Sequence, residues 1–178
     1  MTAEDGTLGD DELTATDMAM HDLHEMKREI DEANMNLGVA SALNATADVM
    51  NSLGFDEAAS AASAGAASAN AAAVVDVTQA MTWQTAASEW QDVAQDLVGQ
   101  SSAQGAAWTA GAHAAHAEDQ LTGGGLSETA KTAAEVEAAR GRAEENAYNK
   151  RAGELGDAAR ESADDAVALE RAAKSLGD

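Results

Sequence analysis

Apolar residues recur along most of this chain at alternating steps of three and four, the spacing that keeps side chains on one stripe of an α-helix. In the first third the stripe reads Leu23, Met26, Ile30, Ala33, Leu37, Ala40, then drifts to Val39, Leu43, Met50 and Leu53. That is a coiled-coil-like seam with one shift of register. Asp10 or Asp11 supplies a cap for its start, with Glu12 in the first turn. "NSLGFDEA" predicts its end: Gly54 suits the left-handed residue that closes a helix, Phe55 can fold back on Met50, and Asp56 can cap the next helix. So short a connection predicts an antiparallel hairpin.

In the second arm the same count gives Ala59, Ala62, Ala66, Ala69, Ala73, Asp76, Ala80, Trp83, Ala87, Trp90, Ala94 and Leu97. Ala is common enough in this chain to fall on any stripe. Trp83, Trp90 and Leu97 sharing one seven-residue repeat is the stronger mark. "AASAASAGAASANAAAVV" therefore reads as helix, and its small side chains let helix axes approach toward the close end of the usual ~8–10 Å range. Ala59, Ala62, Ala66, Ala69, Ala73, Trp83 and Trp90 are the candidate interface residues.

"GQSSAQG", from Gly99 to Gly105, predicts a break, followed by a short helix from Ala106 to Leu121. "TGGG" predicts a second break, and Ser127 with Glu128 the start of a last helix. The last seam reads Tyr148, Ala152, Leu155, Ala159, Ser162, Ala166, Leu169, Ala173 and Leu176. The expected fold is all-α, a long antiparallel helical hairpin plus a short third helix and a long C-terminal helix with coiled-coil or bundle-like packing. In one domain, residues 1–9 would be an acidic N-terminal tail, 10–125 the hairpin and short helix, and 126–178 the long helix.

Composition changes this picture in one respect. Leu, Ile, Val and Phe supply only 23 of 178 residues, and the net charge is -22, a balance usual for disordered chains. Absence of proline, dominance of the best helix former and clean cap signals argue for order instead. The acid-rich, Lys-poor composition resembles that of proteins from extreme halophiles. At molar salt the Debye length falls to about 3 Å, and dense carboxylates cease to repel over distance. Low salt is expected to unfold the chain in part.

The charge is unevenly placed. Residues 1–57 carry -12, residues 58–125 carry -6 and residues 126–178 carry -4. Between Ala33 and Ser88 the only charged residues are Asp48, Asp56, Glu57 and Asp76. A helix without a charged face is usually covered all round, so both arms near Gly54 are expected to meet copies of the chain or other protein subunits. An acidic chain repels nucleic acid. The acidic N-terminus lacks the pattern of a secretory signal peptide. Ser60, Ser63, Ser68 and Asn70 interrupt the uncharged run and argue against a membrane span.

Chemistry is sparse. All four histidines form two pairs, His21 with His24 and His113 with His116. Residues three apart share a helix face, so each pair can offer two imidazoles to a divalent metal. A turn at Gly99–Gly105 would bring the pairs together, with Glu25, Glu118 and Asp119 nearby. The bland alternative is four surface histidines in an acidic field. No nucleophile elbow, phosphate loop or dinucleotide fingerprint is present, so neither catalytic nor cofactor-binding residues are assigned. The expectation is a non-enzymatic structural subunit of a multi-helix oligomer, either cytoplasmic in a high-salt cell or part of a virion as a capsid, connector or tail protein. A metal-binding bundle, a membrane-active hairpin and a helical adaptor rod are the alternatives.

Overall fold

The computed structural model describes residues 7–177. Three α-helices account for almost all of them: α1 (Thr7–Ser52), α2 (Asp56–Thr122) and α3 (Glu128–Leu176). The all-α fold with a leading helical hairpin is as the pattern predicts. Two boundaries differ. α1 begins at Thr7, so Asp10 and Asp11 lie inside the helix, and residues 1–6 of the expected tail lie outside the described residues. α2 runs unbroken through Gly99–Gly105, so the separate short helix does not exist. Glycine there costs helix propensity of about 1 kcal/mol per residue. Packing uses the space at one of the two positions: a Cβ on Gly99 would sit 3.1 Å from the Leu155 side chain.

The turns follow their local chemistry. α1 closes with Phe55 N–H donating to Met50 O at 2.9 Å and Gly54 N–H to Asn51 O at 3.1 Å, and Gly54 takes φ 78°. This is the paired Schellman arrangement that a left-handed glycine permits. The Phe55 ring itself stays 58% exposed. Phe55 O, not Asp56, receives the first bond of α2, from Ala59 N–H, which leaves Asp56 and Glu57 in the first turn where the helix dipole favours acids. Gly124 and Gly125 turn the chain again at φ 73° and 84°. Ser127 then caps α3, its Oγ accepting from Ala130 N–H at 3.3 Å.

The helices contribute to two compact units. One comprises Thr16–Gln91 with Ala163–Asp178, and the other the residues up to Ala15 with Asp92–Ser162. They are named below by their turns, the Gly54 unit and the Gly124 unit.

Both cores are built from alanine. Among the described residues every buried apolar side chain is Ala except Trp83 and Val93. Each such methyl contributes little, on the order of 0.8 kcal/mol per CH₂-sized group, so close backbone approach has to supply dispersion contact instead. In the Gly124 unit, a Cβ on Gly141 would lie 2.9 Å from Ala114 Cβ and 3.0 Å from Ala110 O. In the Gly54 unit, a Cβ on Gly65 would lie 3.1 Å from Leu43 Cδ1. The α2 seam is as the pattern predicts, with every position from Ala59 to Leu97 buried or half-buried. In α3 the seven positions from Ala152 to Ala173 are likewise covered, while Tyr148 and Leu176 at the ends are exposed.

α1 departs from its expected seam. Met26, Ala33, Ala40, Leu43 and Met50 face inward, but Leu23, Ile30, Leu37, Val39 and Leu53 are 37% to 63% exposed. Asp22, Glu29 and Asn36, each one residue earlier than Leu23, Ile30 and Leu37, are covered instead. One residue turns a helix face by about 100°, so Met26, Ala33 and Ala40 serve either register. The polar contacts described next belong to the register adopted.

Candidate functional site

In the Gly54 unit the last turns of α3 meet α1 and α2 through polar groups. Trp90 Nε1 donates to Glu170 Oε1 at 2.9 Å. Lys174 Nζ lies 3.5 Å from Glu170 Oε2 and 5.5 Å from the Trp83 ring centroid. The His21 ring meets Trp83 edge-on at 6.1 Å, and His21 Nδ1 lies 3.2 Å from Asp22 Oδ1. Asp22 is fully buried, and its Oδ2 and Trp83 Nε1 are buried without a hydrogen-bond partner among the described residues. Burial pushes the Asp22 carboxyl above its ordinary pKa, opposed by the hydrogen bond with His21 and reinforced by the charge of Glu170.

Where α3 ends, with a Cβ position on Gly177 3.1 Å from the Gln79 amide, an open cavity of about 550 Å³ lies between α1 and α2. Its lining includes Glu25, Arg28, Glu29, Glu32, Asp76 and Lys174. Oxygens of Glu29, Glu32 and Asp76 lie within 4.8 Å of one another. Protein groups answer these carboxylates. Arg28 reaches Glu29 at 2.6 Å, Glu25 at 2.8 Å and Glu32 at 3.7 Å. Asn36 Nδ2 donates to Asp76 at 2.7 Å. Burial raises the Glu29 carboxyl and Arg28 partly offsets it.

His21 and His24 belong to the Gly54 unit, His113 and His116 to the Gly124 unit, and all four are exposed. The turn expected at Gly99–Gly105 is absent, because α2 is continuous through it. His116 instead shares a 3.0 Å hydrogen bond with Gln120 one turn on. Among the described residues no His belongs to a group of three metal-ligating side chains. In the Gly124 unit Glu118 is engaged by Arg142 at 2.7 Å, and that hydrogen bond holds its carboxyl below the ordinary range.

The candidate interface residues are used within the chain. Ala59, Ala66, Ala73 and Trp83 are buried, and Ala62, Ala69 and Trp90 half-buried, in the seam of α2 with its own neighbours. What remains outside is a different set. Met35, Val39, Val49, Leu53 and Phe55 are 46% to 63% exposed, and Val74, Val75, Val77 and Met81 are 41% to 67% exposed. The pattern reading missed Asp22, Glu29 and Glu170 as buried acids. For the two on α1 the signal was present: Asp22, Glu29 and Asn36 are spaced by seven and share the phase of Met26, Ala33 and Ala40.

α2 contains a window of mean hydropathy 1.2, long enough to cross a bilayer by length and composition, with 17% of it buried within the chain. Comparison with protein-family models, with curated proteins and with solved structures finds no match to this chain.

Proposed function

We propose that the protein is a non-enzymatic structural subunit that assembles with copies of itself in concentrated salt, and in its narrowest form a component of a virion or similar particle. One observation carries the reading. Past the end of α3 the Gly54 hairpin exposes large apolar side chains on faces that hold almost no charge, in a chain of net charge -22. Contiguous exposed apolar surface on a soluble protein marks an interaction site. Carboxylates elsewhere are costly to bury in a contact, so the neutral faces are where copies can meet. The acids of the cavity beside Glu29 are held within the chain by Arg28 and Asn36.

The test is molar mass by light scattering after size exclusion in about 3 M KCl, where the Debye length is shorter than an ion pair. The expected result is a multiple of 18.1 kDa. A monomer at every concentration would remove the proposal. Such a monomer co-floating with phosphatidylcholine vesicles would mean that lipid covers the apolar faces, the membrane-active alternative.

A further inference from the structure

The Gly54 unit takes from α3 only its end, from Ala163 on, and packs it against α1 and α2. The buried positions of that end are Ala166, Glu170 and Ala173, two methyls with a carboxylate between them. Val167 and Leu169 are half-buried, and Leu176 in the last turn is exposed. What this segment covers is a polar layer. Glu170 is 8% exposed, Asp22 of α1 is 0% exposed, and the two carboxylates are close enough for the charge of one to act on the other. The bases that face Asp22 are His21 on α1 and Lys174 on α3, and each keeps more than half of its side chain in solvent. The same layer holds Asp22 Oδ2 and Trp83 Nε1, both buried without a hydrogen-bond partner among the described residues. Trp83 itself lies under Lys174, whose Nζ is 5.5 Å from the ring centroid.

Two costs exist only while this segment stays in place. A buried donor or acceptor without a partner loses its hydration and receives nothing in return. Two carboxylates of like sign also repel more strongly inside the protein than in water, and salt does little to relieve them, because buried charges are screened far less than exposed ones. Lifting the segment would admit water to the layer and take Glu170 away from Asp22. Against this stand the Trp90–Glu170 hydrogen bond at 2.9 Å, the cover of Trp83 and the burial of two alanine methyls. Few apolar contacts over an unsatisfied polar layer are the marks of a part that opens before its surroundings. We propose that the end of α3, residues 163–176, is a strap, closed in this structure, that lifts as a unit from Asp22, Trp83 and Trp90 while α1 and α2 stay paired. Glu170 holds the strap through Trp90, and the buried Asp22 carboxyl works against it. The strap thereby controls access to two tryptophans that are otherwise covered. All of these contacts lie within one chain and hold whether or not it assembles.

Hydrogen exchange of the whole chain, read by mass spectrometry in about 3 M KCl, tests the strap. Residues 163–173 should exchange together, with one common protection, and faster than the segments beneath them, 16–28 of α1 and 79–91 of α2. Asp22→Asn should slow exchange of 163–173 by about tenfold, the order expected when a buried charge without a full set of partners is removed. Asp31→Asn, the same change of charge at an exposed position on α1, should leave it unchanged. Trp90→Phe, which removes the indole donor to Glu170, should speed it. Protection that declines gradually inward from Leu176 and ignores Asp22→Asn is ordinary end fraying and would overturn the strap. Exchange of 163–173 at the rate of 16–28 and 79–91 is opening of the whole unit and would overturn it equally. Loss of helicity at 222 nm in Asp22→Asn would count against it too, because that change is expected to favour the closed form.

Discussion

Replacing Gly141 by Ala should leave this protein no more stable or destabilise it, while the same replacement at Gly153, twelve residues along the same helix, should stabilise it. Both sit in α3, where Gly costs about 1 kcal/mol relative to Ala. At Gly153 a Cβ meets nothing within 4 Å, so the full gain of about 1 kcal/mol is available. At Gly141 a Cβ would lie 2.9 Å from Ala114 Cβ, 3.0 Å from Ala110 O and 3.0 Å from Ala114 N. Carbon atoms prefer about 3.5–4.0 Å, so α2 and α3 would have to part locally by about 0.5–1 Å. Two of the three obstructing atoms are backbone and cannot swing aside. Overpacking of this kind costs about 1–3 kcal/mol, which exceeds or cancels the propensity gain. For a chain of this size each kcal/mol moves Tm by about 2–4 °C. Thermal unfolding followed by circular dichroism at 222 nm in about 3 M KCl should therefore place G153A above wild type by about 2–4 °C and G141A at or below it. G65A should fall between, because the Cβ at Gly65 meets only the flexible end of Leu43 at 3.1 Å. Equal gains for G141A and G153A would refute the claim that α2 and α3 are in backbone-level contact at Ala110 and Ala114.

Three further outcomes are expected. Among the described residues Trp83 is the one large buried aromatic, so Trp83→Ala should cost about 3–5 kcal/mol, while Trp108→Ala, at a 78% exposed position, should change stability by less than about 0.5 kcal/mol in the same melts. Asp22 and Glu29 have folded pKa values raised above those of the unfolded chain. Their contribution is therefore fully present below the ordinary carboxylate range near 4 and is lost as pH rises through the raised values. Tm measured across pH 4–7.5 at constant KCl should fall with rising pH, and Asp22→Asn should flatten that slope. An unchanged slope in the variant would show that Asp22 is not the group responsible. Lowering KCl from about 3 M to about 0.1 M lengthens the Debye length from under 3 Å to about 10 Å, so the -22 chain should lose helicity at 222 nm, and equal melts at both salts would contradict that electrostatic account.

The α2 seam from Ala59 to Leu97 was legible from residues alone, because Trp83, Trp90 and Leu97 are bulky enough to set the phase of an otherwise uniform alanine helix. The turns at Gly54 and Ser127 were legible for a local reason: a left-handed glycine and a side-chain cap are decided within a few residues. The register of α1 was not. Hydrophobicity ranks Leu23, Ile30 and Leu37 above Asp22, Glu29 and Asn36, and only the neighbours across the seam reverse that order. Asp76 accepts from Asn36, the last turns of α3 bring Glu170 and Lys174 to Asp22, and Arg28 holds Glu29 in place. Nor could the residues around Gly99 reveal that α2 continues, since their own preference is to break and Leu155 lies 56 positions away. The same separation hid the absence of the expected turn at Gly99–Gly105. Local preference and helical period act over a few residues and are written in order along the chain. Which polar stripe is covered, and which neutral faces stay open past the end of α3, depends on partners far apart in sequence, so tertiary packing alone decided them.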